Sequence, residues 1–292
     1  MQQSMLVGLI GANIQKSLAP ALFEDACAAT GIRGHYHLMD LDRLPGRALG
    51  DLVGAARSVG FNGFNVTYPC KEAVLPMLDD VSPDARQIGA VNTVSIAADG
   101  KTKGFNTDRI GFRRAFEETL GAASVRDKIA VLVGAGGAGR AVAFALFDLG
   151  VRTLLVVDKN PDQTRGLSLA LAGAFGTERA RVETDLEAAL SMASGVVNAT
   201  PVGMLGIPGD PVPIDTITAG HWVADVIYTP LETKLIERAR AKGARVMGGA
   251  GMCVHQAAET FKIFTGLPAD VHRMQRTFAE AAAVREKNLA AG

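Results

Sequence analysis

Short apolar runs and amphipathic stretches alternate along the whole chain, the pattern of an α/β protein. Residues 6–11 form an apolar run that reads as a buried first strand. Residues 19–30 repeat apolar side chains at helical spacing, with Pro20 near the start and Gly31 just past the end. An extended stretch at 33–41 follows, then a helix at 47–59 stopped by Gly60, a short strand at 61–67 and a short helix at 71–78. Residues 90–96 and 103–106 pair as a hairpin turned at Asp99-Gly100, and 107–120 reads as a helix. From Lys128 onward the apolar runs become continuous, as in strands buried on both faces. They fall at 129–133, 153–157, 195–200 and 221–227, with a helix at 231–242 and a short strand at 244–247. Two closing helices, 252–265 and 270–289, lie outside that pattern.

The run at 129–133 leads straight into Gly134-Ala135-Gly136-Gly137-Ala138-Gly139. A helix-like stretch follows, Gly150 ends it, and the next strand finishes at Asp158. Strand, glycine loop, helix, strand and terminal acid together make a dinucleotide-binding fingerprint. In it Gly134 makes the tight turn and Gly136 admits backbone N–H groups to a pyrophosphate. Gly139 lets the helix approach the strand, and the helix N-terminus faces the phosphate charge.

Composition narrows the partners. Lys plus Arg and Asp plus Glu each number 30 in 292 residues, so the chain has none of the basic excess that nucleic acid or an anionic membrane attracts. No apolar run approaches the roughly 18 residues of a membrane span. The N-terminal residues carry no basic region and read as a strand, not a secretion signal. Cys27, Cys70 and Cys253 are odd in number and lack C-x-x-C spacing, which fits a reducing cytoplasm. His35 and His37 share a strand face without an acid or thiol at matching spacing, so no metal site is expected.

Chemistry concentrates in three clusters of the first half. In Asn65-Val66-Thr67-Tyr68-Pro69-Cys70-Lys71 a strand ends and Lys71 opens the expected helix, where the dipole opposes its charge and favours proton exchange. Ala90-Val91-Asn92-Thr93 sets two polar side chains beside an apolar turn. Gly104-Phe105-Asn106-Thr107-Asp108 ends a strand and starts a helix, and Asn106 or Thr107 equally fits a simple N-cap.

These clusters, the glycine loop, Asn198-Ala199-Thr200-Pro201-x-Gly203-Met204, Asp225-Val226-Ile227-Tyr228-x-Pro230-x-x-Thr233 and Gly251-Met252-x-Val254-x-Gln256-Ala257 occur in one order. The chain thereby resembles the shikimate/quinate dehydrogenase family from about Gly8 to Phe261. The resemblance implies an α/β fold of two domains with a deep cleft. An N-terminal substrate-binding catalytic domain would cover 1–107 and a Rossmann NAD-binding domain 108–247, with C-terminal helices at 248–292 returning to the first. It implies Lys71 and Asp108 as the catalytic pair, and Ser17, Thr67, Asn92, Tyr228 and Gln256 around the substrate. Gly134, Gly136, Gly137, Ala138, Gly139, Asp158, Thr200, Met204 and Gly251 would hold the cofactor. The implied enzyme is a cytoplasmic monomer or homodimer that exchanges a hydride between NAD and a ring alcohol of shikimate or quinate.

Two positions set this chain apart within that likeness. The family pairs two hydroxyl residues, Ser-x-Ser or Ser-x-Thr, to hold the substrate carboxylate, and here Ser17 is followed by Ala19. A paralogue acting on a related ring, such as an amino-substituted one, is therefore the first alternative. A non-catalytic ligand sensor is the second, although a sensor needs no proton-transfer lysine. At 158 an acid accepts from ribose hydroxyls and repels a 2′-phosphate, so NAD is favoured over NADP, with Lys159 and Arg165 leaving some tolerance for phosphate.

Overall fold

The computed structural model describes residues 3–176 and 179–291. It divides into two compact units, Met1–Thr107 with Val254–Gly292, and Asp108–Cys253.

The first unit opens with β1 (Ser4–Gly11), α1 (Ala19–Ala29), β2 (Arg33–Asp40), α2 (Leu49–Ser58) and β3 (Gly63–Val66). It continues through β4 (Asp80–Val81), α3 (Pro83–Ile88), β5 (Thr93–Ile96) and β6 (Thr102–Phe105). The strands form one sheet in the order β2-β1-β3-β5-β6-β4. β1 runs parallel to β2 and β3, whereas β5 is antiparallel to both β3 and β6. Val7, Leu9 and Ile10 of β1 and Phe64 and Val66 of β3 are buried, as central strands require.

One expected element is absent. The helix anticipated at 71–78 is a run of turns closed by a 3₁₀ turn at Leu75–Met77. The carbonyl of Lys71, which an α-helix would give to Leu75, instead accepts Val91 N–H at 2.8 Å. Pro76 has no N–H to offer Glu72, so the backbone tightens into i→i+3 bonds. Lys71 therefore opens no helix, and no helix dipole opposes its charge from that segment.

The second unit begins with α4 (Asp108–Thr119), then β7 (Ile129–Val133), α5 (Gly137–Asp148), β8 (Thr153–Val157), α6 (Pro161–Phe175) and β9 (Ala180–Val182). Its other half is α7 (Leu186–Met192), β10 (Gly195–Asn198), β11 (Trp222–Asp225), α8 (Lys234–Ala241) and β12 (Arg245–Met247). The sheet is parallel throughout, in the order β12-β11-β10-β7-β8-β9. Strand order reverses between β7 and β10, and a doubly wound sheet binds ligands beyond the strand ends at that point. Val131, Leu155, Val196 and Val223 pack under Leu190, Leu235 and Ile236 on one face. Trp222 is buried edge-on against Phe116 and donates its Nε1–H to Ser124 O at 3.1 Å.

The chain re-enters the first unit within α9 (Ala250–Thr265) and ends in α10 (Val271–Ala291). α10 packs on α1, fixed by a bidentate pair in which Arg273 donates to Asp25 at 2.7 and 2.8 Å. No helix among the described residues is long and apolar enough to cross a membrane.

Candidate functional site

The second unit supplies the place for a dinucleotide at the β7/β10 reversal. Gly134 has φ +101°, and a Cβ there would sit 2.8 Å from Ala199 C. A Cβ on Gly139 would lie 1.9 Å from Gly134 O, so α5 approaches its own loop as no other residue type permits. The N–H groups of Gly137, Ala138 and Gly139 precede the first α5 bond, from Arg140 N to Gly136 O at 2.9 Å. Such leading N–H groups are ready donors to phosphate. At the end of β8, Asp158 accepts Ala135 N at 2.7 Å through one carboxylate oxygen and Asn160 N at 2.8 Å through the other. Each oxygen keeps a further lone pair for a ribose hydroxyl. The residues present thus fit a dinucleotide: a cradle that a side chain would fill, a helix start and an acid at the second strand end.

Across the reversal, Asn198 ends β10 and Asp225 ends β11, both fully buried. Asn198 Oδ1 accepts Thr200 N at 3.0 Å and Thr200 Oγ1–H at 2.7 Å. Asp225 accepts Asn198 Nδ2 and Ile227 N, each at 3.1 Å, and Thr233 Oγ1–H at 2.7 Å. Burial pushes the Asp225 carboxyl up to about 6, against the pull of those three donors. The loop bearing Thr200 and Met204 meets the loop bearing Tyr228 where Leu205 N donates to Thr229 O at 2.9 Å. Gly251 opens α9, where a Cβ would come within 3.1 Å of Ala115 Cβ.

The first unit gathers a polar cluster at the ends of β3, β5 and β6. Asn92 donates through Nδ2 to Thr107 Oγ1 and accepts Thr107 N through Oδ1, both at 2.8 Å. Thr107 Oγ1 in turn donates to Gln256 Oε1 of α9 at 3.3 Å. The Thr107 hydroxyl therefore binds Asn92 and Gln256, beyond the simple cap its position equally allowed. Thr260, one turn further along α9, touches the hydroxyls of Thr93 at 3.0 Å and Thr107 at 3.2 Å. Asn65 donates to Asn92 O and Thr93 Oγ1, and Tyr36 OH donates to Asn65 Oδ1 at 2.9 Å. Sequence reading passed over Tyr36 and Thr260. Only the fold brings them to Asn65, from strand β2 and helix α9.

Two loops complete this side. Asp40, buried at the end of β2, accepts Ile14 N and Gln15 Nε2 and so pins the loop before α1. That loop presents Ser17, whose Oγ accepts Ala19 N at 3.3 Å. Its neighbour is the Thr67–Lys71 segment, joined to it by Ala12 N donating to Tyr68 O at 2.9 Å. Thr67 and Lys71 are half-buried, and Lys71 O is tied to Val91 beside Asn92. Asp108, 4 % exposed, is the first residue of α4 and belongs to the second unit. No cluster of metal-ligating side chains occurs among the described residues.

Comparison with known proteins places this arrangement. The family described as shikimate dehydrogenase substrate binding domain matches residues 9–94, and that described as shikimate 5'-dehydrogenase C-terminal domain matches 249–277. A quinate/shikimate dehydrogenase (NAD(+)) of Corynebacterium efficiens is 48% identical over 279 residues, covering 94% of this chain and 98% of that protein. The chain belongs to the shikimate/quinate dehydrogenase family. A shikimate dehydrogenase (NADP(+)) of Pseudarthrobacter chlorophenolicus, 45% identical over 288 residues and 97% of each chain, is another member. The quinate dehydrogenase of Corynebacterium glutamicum, solved in complex with NAD, superimposes with a TM-score of 0.87 at 44% identity, over 95% of this chain and 99% of that one. Family members are thus named for both cofactors.

Proposed function

We propose that this chain oxidises a ring secondary alcohol of quinate or shikimate to the ketone, reversibly, with NAD as hydride acceptor. The observation that carries the cofactor is Asp158, ordered by Ala135 and Asn160 with lone pairs left for ribose hydroxyls and a charge that repels a 2′-phosphate. Its neighbours Lys159 and Arg165 leave a residual tolerance for NADP.

Gly134, Gly136, Gly137, Ala138 and Gly139 would form the loop that receives the pyrophosphate, with Thr200 also on the cofactor and Met204 and Gly251 toward the nicotinamide. When bound, NAD would supply the acceptor for the hydride of the carbinol carbon. Lys71, as the amine, takes the hydroxyl proton as that carbon–hydrogen bond breaks, and returns it in the reverse reaction. Asp108 is the second member of the catalytic pair and accepts from a ring hydroxyl. Asn92, Thr67, Gln256 and Tyr228 hold the remaining ring groups. Ser17 Oγ accepts Ala19 N, which leaves its hydroxyl proton to donate to the substrate carboxylate. The first unit is thus the substrate-binding catalytic part and the second the NAD-binding part. The protein works in the cytoplasm as a monomer or homodimer, consistent with three buried thiols and zero net charge.

Ala19 favours a second reading, a paralogue that takes a related ring. One experiment decides both. Absorbance at 340 nm is followed with NAD or NADP against quinate, shikimate and amino-substituted analogues. The expected result is turnover of quinate or shikimate with kcat/KM for NAD at least about tenfold above that for NADP, about 1.4 kcal/mol of discrimination. Equal use of the two cofactors removes the role given to Asp158, and turnover of the analogue alone establishes the paralogue.

A further inference from the structure

We infer that Asp225 is a positioning residue for the site, holding the Thr200–Met204 loop of the cofactor side and the Tyr228 loop of the substrate side in one fixed relation through Asn198 and Thr233. The inference rests on the NAD reading above and adds a residue to it.

A primary amide presents either edge to its surroundings at similar cost. Asn198 is not given that choice. An ionised carboxylate only accepts, so Asp225 Oδ1 obliges Asn198 to turn Nδ2 toward it, at 3.1 Å. The same Nδ2 donates to Val202 O at 3.2 Å. Oδ1 is thereby aimed the other way, onto the N–H and hydroxyl of Thr200. Thr200 Oγ1 then accepts Val202 N at 3.2 Å, and Met204 N donates to Pro201 O at 3.0 Å, closing the loop on itself. Asp225 orders the other loop directly. Ile227 N donates to its Oδ1, and Thr233, which caps α8 by accepting Ile236 N, donates to its Oδ2. Both loops leave the sheet beside the β7/β10 reversal. Every group facing the carboxylate is a donor, and its burial leaves water no part in setting the geometry.

The substitution Asp225→Asn keeps the shape and removes the constraint. To accept from Asn198 and Ile227 the new amide must point its NH₂ at Thr233, whose hydroxyl proton then loses its acceptor. Flipped, it sets NH₂ against NH₂ of Asn198. Hydrogen exchange of the protein without cofactor reads the loops, and steady-state kinetics read the site. In Asp225→Asn the amides of 199–205 and 226–231 are expected to exchange about tenfold faster, with β10 and β11 unchanged. The kcat/KM for NAD is expected to fall about tenfold, and KM for the ring substrate is expected to rise with the loosened Tyr228 loop. A folded Asp225→Asn protein whose loop exchange and NAD kcat/KM both stay within about twofold of the parent overturns the inference. If that variant does not fold, Thr233→Val and Thr233→Ser decide. Faster exchange reaching 199–205 in Thr233→Val and restored in Thr233→Ser supports the inference, and loosening confined to the start of α8 refutes it. Should the parent turn over no ring substrate, the exchange result still stands, and the failure falls on the proposed activity.

Discussion

Position 19 carries the smallest change with the largest consequence. Ala19 opens α1 two residues after Ser17, whose hydroxyl already accepts its backbone N–H. A hydroxyl at 19 would add a second donor beside the first. Ala19→Ser is expected to lower KM for quinate or shikimate about five- to thirtyfold, the worth of one hydrogen bond of ~1–2 kcal/mol. An unchanged KM would show that residue 19 does not reach the carboxylate. Single residues were legible in the chain where chemistry is rare at that place: a lysine after Asn-Val-Thr-x-Pro, an acid at the second strand end. Tyr36 and Thr260 were not legible. A tyrosine in a strand and a threonine in a helix are ordinary, and only the fold brings both to Asn65, from β2 and α9.

Elements were read best where their sequence requirement is steric. The glycine loop could be recognised because a Cβ at 134 or 139 would collide with backbone, so no other residue serves. Gly139→Ala is accordingly expected to cost at least about 2 kcal/mol, the scale of forced overpacking. That corresponds to a melting temperature lower by about 4–8 °C. Calorimetric melting and NAD titration test it, and parent-like values in both would contradict the packing described. The lysine segment misled for an equally local reason. Its apolar spacing suits a helix, but Pro76 and the Lys71–Val91 hydrogen bond divert the backbone into turns. β4, with two residues, and β9, with three, are too short for any alternation to show.

At the scale of the molecule, the chain builds one unit from two segments, 1–107 and 254–292, that are separated in sequence by a continuous second unit. Hydropathy reveals the elements of each segment but not that α9 contributes Gln256 and Thr260 to the cluster around Asn92. That follows from packing across some 150 residues of sequence, as in the Thr107–Gln256 hydrogen bond with a separation of 149. The parallel sheet was legible because buried strands and a glycine loop recur in a fixed order. The proposed reaction rests on Lys71 moving the proton while the second unit holds NAD. The measurement that tests this most directly compares the parent and Lys71→Ala for NADH formation from quinate or shikimate, with NAD affinity determined on the same preparations. Turnover is expected to fall roughly 10²–10⁴-fold with NAD affinity nearly unchanged, as befits loss of one acid–base group. Near-parental turnover in a folded Lys71→Ala protein would contradict it.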